Sequence, residues 1–115
     1  MGKKIKILEM IFNFETENVN FFEEDKNYFE VKISRLKKFF GSDAGDRDTI
    51  DTKVRLQKNK HRTGEKFECA VTIFSPRHGK FVAEISAENI RKCADEIYEK
   101  LKKQIKNFHE KGQKK

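Results

Sequence analysis

Residues 90–108 read IRKCADEIYEKLKKQIKNF, and this stretch decides the fold. Apolar residues recur along it every three or four positions and form one stripe of a helix. The members of the stripe are Ile90, Ala94, Ile97, Leu101, Ile105 and Phe108. Because only one side of this helix is apolar, it has to pack against a single surface that the preceding sequence must supply.

Four earlier segments supply that surface as strands, since apolar and polar residues alternate along them with a period of two. We predict strands over about residues 5–15, 50–56, 67–74 and 80–86. Their alternating positions would give one apolar face to a sheet: Leu8, Met10, Phe12 and Phe14; Ile50, Thr52, Val54 and Leu56; Phe67, Cys69, Val71 and Ile73; and Phe81, Ala83 and Ile85.

A second helix is predicted between the first two strands, over about residues 21–40. Asn20 followed by Glu23 resembles a capping box, and Gly41 is a typical residue just past a helix end. The apolar stripe of this helix would comprise Phe22, Phe29, Ile33, Leu36 and Phe40. Loops or turns are expected over residues 41–48, 57–66 and 75–79, which are polar or contain glycine and proline.

The predicted order is β-α-β-β-β-α, with one apolar face on the sheet and one apolar stripe on each helix. Both helices must therefore cover the same side of the sheet. The fold class is α+β, a two-layer sandwich of a four-stranded sheet with two helices on one face. We expect a single domain over residues 1–108 and a frayed polar C-terminal tail over residues 109–115.

The charge is strongly positive and unevenly placed. The chain has 26 Lys and Arg against 19 Asp and Glu, a net charge of +7, and the acids crowd residues 9–30. Cations gather toward the end of the last helix, where the helix dipole and pairs with Glu96 and Glu99 account for about half of them. Cations also gather over residues 53–62, where no acid accompanies them in sequence: Lys53, Arg55, Lys58, Lys60 and Arg62. This pattern favours a polyanion as partner, RNA more than DNA, although solvated surface charge is the simpler alternative.

Several function classes find no support in the sequence. No segment is apolar enough to span a membrane or to serve as a secretory signal, so a cytoplasmic location is expected. Cys69 and Cys93 suit buried structural thiols, and the three histidines have no zinc-site spacing. We therefore predict no catalytic residues, no metal and no cofactor.

Three motifs, in order, resemble a known family. They are residues 28–40, YFEVKISRLKKFF; residues 67–73, FECAVTI; and residues 89–105, which contain Asp95 and the run Lys100-Leu101-x2-Gln104-Ile105. Together they resemble the ribosome hibernation promoting factors, also called ribosome-associated inhibitor or sigma-54 modulation proteins, in their short form. The resemblance implies the same fold. It also implies binding to the small ribosomal subunit, in the channel for mRNA and tRNA, with inhibition of translation in idle ribosomes.

The leading hypothesis is thus a non-enzymatic translation inhibitor that docks on small-subunit rRNA, is a monomer off the ribosome and takes no small-molecule substrate. The family's basic positions and the charge clusters together predict the following RNA-binding residues: Lys32, Arg35, Lys100 and Lys103 from the resemblance, and Lys58, Lys60, Arg62, Arg77, Arg91 and Lys106 from clustering. The alternative is a general double-stranded RNA-binding module that is not specific to ribosomes. A small enzyme is a third possibility that nothing in the sequence favours.

Overall fold

The computed structural model describes residues 7–40, 47–61, 64–75 and 79–113. The strands are β1 (Ile7–Glu17), β2 (Arg47–His61), β3 (Gly64–Ser75) and β4 (Gly79–Ala87). The helices are α1 (Glu23–Ser34), which continues into a 3₁₀ helix (Arg35–Phe39), and α2 (Ile90–Gln113). The predicted order β-α-β-β-β-α and the α+β class are confirmed.

The strands form one mixed sheet in the order β1-β2-β3-β4. β1 pairs with β2 in parallel, and the other two pairings are antiparallel. The register aligns Phe14 with Val54, Val54 with Val71, and Val71 with Ala83, so the predicted apolar positions share one face. That face and the two helices enclose the core, as expected for elements that are each apolar on one side only.

The hairpin between β2 and β3 is longer than predicted. The expected turn over residues 57–66 is mostly strand, with Lys58 opposite Phe67 and Lys60 opposite Glu65. Antiparallel pairing satisfies the backbone groups whatever the side chains are, and this overrides the polar composition. Within the other predicted connections, residues 41–46 and 76–78 lie outside the described residues.

The start of α1 differs from the prediction. The helix begins at Glu23, its N-cap is Phe22, and no side chain caps it, so Asn20 does not form the expected capping box. Phe22 is 65% exposed, whereas Phe21 packs with its ring centroid 5.3 Å from Phe14 and 5.9 Å from Phe29. The remaining predicted stripe, from Phe29 to Phe40, is buried as expected, with its last turn wound as 3₁₀ helix.

The last helix begins at Ile90, where the side-chain oxygen of Asn89 accepts a 2.7 Å hydrogen bond from the backbone N–H of Lys92. This is N-cap geometry, and it fixes the direction in which α2 leaves the sheet. The helix continues to Gln113, five residues past Phe108, so part of the expected frayed tail is helical. Ala94, Ile97, Leu101 and Ile105 are fully buried, which confirms the centre of the stripe that decided the fold.

Both cysteines lie in the core and are free thiols. Burial raises the pKa of Cys69 to about 12, and burial together with the charge of Glu96 raises the pKa of Cys93 to about 11. The Cys93 thiol contacts the backbone oxygen of Phe67 at 3.7 Å. The prediction that both thiols are buried is confirmed. Thiols that ionise so rarely are poor nucleophiles, which is consistent with a structural role.

Candidate nucleic-acid interface

A row of five cations lies over aromatic rings along the groove between α1 and α2. We call it the cationic seam: Lys32, Lys38, Arg91, Lys102 and Lys106. Arg91 lies 5.2 Å from the centroid of Tyr28, and the ammonium groups of Lys32 and Lys102 lie 5.2 and 5.5 Å from that of Tyr98. Lys38 and Lys106 lie 5.3 and 5.6 Å from Phe39.

The seam follows from the way the two helices pack. Tyr98 is buried on the α1-facing side of α2, and Tyr28 and Phe39 pack against the core from the opposite side of the groove. Long basic side chains then bring their charged ends over these rings. Cation–π attraction holds the ends in place. Carboxylates at 3.4–3.6 Å from three of the five cations do so as well. Positive charge is therefore displayed at fixed positions along the groove and is partly neutralised at three of them.

The carboxylate of Asp95 on α2 contacts two side chains of α1 beside the seam. The Tyr28 hydroxyl donates a 2.5 Å hydrogen bond to Asp95, and the Lys32 ammonium lies 3.4 Å from the same carboxylate oxygen. The hydrogen bond raises the pKa of Tyr28 above its ordinary value, and desolvation acts in the same direction. Asp95 therefore fixes the spacing of α1 and α2, while Arg91 makes a second link by pairing with Asp25 at 3.5 Å.

The predicted RNA-binding residues fall into different places. Lys32, Arg91 and Lys106 belong to the seam, and Arg35 is exposed close enough for its charge to act on Tyr28. Lys103 is also exposed but faces away from the seam.

The other predicted residues lie elsewhere. Lys100 is on the far flank of α2, where its ammonium donates a 3.0 Å hydrogen bond to the backbone oxygen of Glu84 in β4. Lys58 lies 5.7 Å from the ring of Phe67, and Lys60 belongs to β2. Arg62 and Arg77 lie outside the described residues.

Sequence reasoning missed Lys38 and Lys102 as members of the seam. Lys102 stands four residues after Tyr98, a spacing that places two helical side chains on the same face. Lys38 precedes Phe39 at the end of the first helical segment. The sequence therefore did contain one sign of the site, a lysine four residues after a tyrosine. That spacing identifies a cation over a ring, but only the fold shows that Lys32 of α1 lies over the same ring.

Two cations of the basic stretch over residues 53–62 share one carboxylate, although the side chains of Lys53 and Arg55 are 54% and 68% exposed. The parallel register sets Glu15 of β1 opposite Arg55 of β2. Its carboxylate lies 3.2 Å from the Lys53 ammonium and 3.6 Å from the Arg55 guanidinium. No acid accompanies these two residues in the sequence, but the fold supplies one from a strand about forty residues earlier.

The described part of the chain contains neither a cluster of metal ligands nor a membrane-spanning helix. Among residues 7–40, 47–61, 64–75 and 79–113, His, Cys, Asp and Glu form no group of three or more that could hold a metal ion. Neither described helix is long and apolar enough to cross a membrane.

The sequence model of the sigma 54 modulation protein / S30EA ribosomal protein family matches residues 12–113.

The chain belongs to this family. The resemblance read from the three motifs is thereby confirmed, and the family is one of ribosome-associated hibernation and modulation factors. The match covers β1 from Phe12 onward and every later element, and so includes the whole cationic seam.

A solved structure supports the fold independently. The crystal structure of the Thermus thermophilus Protein Y N-terminal domain superposes with a TM-score of 0.63 at 19% identity. The similarity covers 90% of this chain and 99% of that one. No curated protein sequence matches the chain significantly. At this identity the likeness shows the shared fold, and the residues of the seam must be judged from their own geometry.

Proposed function

We propose that this protein is a cytoplasmic hibernation factor that binds, as a monomer, to the small ribosomal subunit in the channel for mRNA and tRNA. It inhibits translation in idle ribosomes by occupying that channel. The cationic seam carries the contact with rRNA, and no chemical step is involved. Family membership supports the ribosome as partner, and the seam is the observation that supports rRNA as the surface touched.

The geometry of the seam suits a phosphate backbone. Its five cations are held on three rings along one groove, so less side-chain freedom is lost when phosphates bind them. Neutralising phosphates releases condensed counterions, which supplies most of the sequence-independent affinity for nucleic acid. Arg35 and Lys103 add exposed positive charge to the helical layer outside the seam.

The rings themselves are poorly placed to read bases. Tyr98 is 8% exposed, and the ammonium groups of Lys32 and Lys102 both lie within 5.5 Å of its centroid. A nucleotide base would have to displace these cations to stack there. We therefore infer recognition of backbone and shape, which is how proteins read structured RNA, in preference to single-strand stacking.

The decisive experiment is co-sedimentation with purified small subunits. The double variant Lys102→Gln and Lys106→Gln removes two seam charges, and we expect its affinity to fall at least about tenfold at low salt, with a salt slope flatter by about 0.7 to 0.9 per lost contact. The matched control, Lys53→Gln and Arg55→Gln, removes the same charge from the other side of the sheet and should bind nearly as well as the wild type.

Three results would count against the proposal. Equal loss in both variants would mean that net charge alone drives binding. Undiminished binding of the seam variant would remove the seam from the interface. Equal affinity for a plain 20-base-pair RNA duplex and for small subunits would favour a general double-stranded RNA-binding module. The place of binding is tested separately: a factor bound in the channel should be displaced from subunits by mRNA together with tRNA.

A further inference from the structure

The sheet has a second face, which we call the open face, turned away from both helices. On β3 it carries Ala70, Thr72 and Phe74, which alternate with the buried Cys69, Val71 and Ile73. Within the described parts of the chain no element covers this face. Its side chains differ from those of the seam in both charge and polarity, so its partner should differ as well.

One end of the open face is a shallow groove with acidic walls. The groove encloses about 690 Å³, with Ala70 and Ser86 among its lining and with Glu17, Glu68 and Glu84 around it. Arg55 is the cation among the described lining residues, and it already pairs with Glu15 at 3.6 Å. The groove therefore presents net negative charge to any molecule that enters it.

The other end of the open face exposes apolar side chains. Phe74 is 49% exposed, Ile11 44% and Val82 39%. Because Phe74 pairs with Lys80 and Val82 pairs with Thr72, Phe74 and Val82 are diagonal neighbours on adjacent strands. Ala70 in the groove and Phe74 stand four residues apart on β3, which is about 13 Å along a strand.

We propose that the open face docks an extended segment of a partner protein that carries lysine or arginine side chains and, about four residues away, an apolar side chain. The basic side chains would enter the groove beside Glu17 and Glu84, and the apolar one would cover Phe74 and Val82. RNA does not fit this face, since its phosphates would meet the same carboxylates. The inference goes beyond the proposed function, in which only the helical layer touches RNA.

The test is a titration of the ¹⁵N-labelled protein, followed by NMR, with an octapeptide of glycine and serine that carries lysine and arginine at its first and third positions and leucine at its seventh. We expect the backbone amides of Ala70, Thr72 and Val82 to shift, and those of Lys32 and Lys102 to stay unchanged. Replacing the leucine by glycine should abolish the shifts around Phe74 and weaken binding about threefold or more.

Matched charge variants identify the groove. Glu17→Gln with Glu84→Gln should raise the Kd of the peptide about fivefold at low salt. Glu24→Gln with Glu30→Gln makes the same change of net charge on α1 and should leave the Kd within about twofold. Equal weakening in both pairs, shifts confined to α1 and α2, or no binding of the peptide at millimolar concentration would overturn the inference. So would an oligouridine that shifts the open-face amides, because the partner would then be RNA. None of these outcomes depends on whether the seam variants sediment with ribosomes.

Discussion

Thr52 offers the sharpest test of the core, because it buries a hydroxyl that the described structure leaves without a hydrogen-bond partner. The residue is 0% exposed and lies on the inner face of β2, with Phe12 and Ile73 opposite it on the two neighbouring strands. Valine has nearly the same shape and replaces the hydroxyl by a methyl group. The variant Thr52→Val should therefore remove an unpaired polar group without creating a cavity.

The magnitude follows from the cost of burying an unpaired hydroxyl, which is about 1–3 kcal/mol in proteins. A hydroxyl can rotate to find a partial partner, so we expect the lower end, a gain of about 1 kcal/mol in the free energy of unfolding. For a domain of this size that gain corresponds to a rise of about 4 °C in Tm. Urea denaturation should show a higher midpoint with an unchanged m value.

Two further variants separate the hydroxyl from the packing. Thr72→Val makes the same chemical change on the open face, where the hydroxyl is accessible to water, and should alter stability by less than about 0.5 kcal/mol. Thr52→Ser keeps the hydroxyl but removes a buried methyl group, and should cost about 1 kcal/mol. If Thr52→Val destabilised the protein, the hydroxyl would have a partner in solution, and the reasoning from its isolation would be refuted.

Three other predictions test the helices and the thiols. Asn89→Ala should cost about 1 kcal/mol in urea denaturation by removing the cap of α2, whereas Asn20→Ala should have little effect because it caps nothing; the opposite ranking would restore the capping box predicted from sequence. Asp95→Asn should lower the pKa of Tyr28 toward its ordinary value, as measured by ultraviolet titration, and an unchanged titration would show that the hydrogen bond does not form in solution. The two buried thiols have folded-state pKa values above the ordinary value near 9, so the unfolded chain releases these protons first. Their contribution to stability is thus complete below about pH 9 and declines as pH rises further. Cys93→Ala should lose less stability than the wild type between pH 8 and pH 10, and an equal loss would exclude the thiol as the cause.

Local periodicity predicted the layers because burial acts on each element separately. An alternating strand such as Ile50–Leu56 has to turn one face inward in any sheet, and the stripe of α2 has to meet it. Where two periodic readings competed, packing decided between them. Phe21 and Phe22 are adjacent and equally apolar, and the choice of Phe21 for the core depends on the positions of Phe14 and Phe29 in three dimensions.

The candidate site was less predictable, because its members come from distant parts of the chain. The pairing of Glu15 with Lys53 and Arg55 depends on a parallel register that no local pattern records. Likewise, Lys32 and Lys102 belong to one site only because α1 packs against α2, which places both ammonium groups over the ring of Tyr98. Charge clustering along the sequence therefore did not reveal the acid that pairs with Lys53 and Arg55, and it left Lys38 and Lys102 out of the predicted set.

Lys100 shows how a residue in a family motif can have a structural reason for its place. Its ammonium donates to the backbone oxygen of Glu84, and the side-chain amide of Gln104 donates to that of Val82 at 2.7 Å. Four residues of helix rise about 6 Å, and two residues of strand span about 6.6 Å, so side chains at this helical spacing match successive outward carbonyls of an edge strand.

The pair therefore occupies carbonyls of β4 that would otherwise be open to another strand, a common way of protecting a sheet edge. A charge reversal such as Lys100→Glu would disturb this edge and any RNA contact together, so reduced ribosome binding by that variant would not locate the interface. Lys103 is exposed and makes no such edge contact, which makes Lys103→Glu the informative change on the outer side of α2. If Lys103→Glu bound subunits normally while the seam variants failed, the interface would lie on the α1 side of α2, and the Lys100–Gln104 motif would belong to the sheet edge.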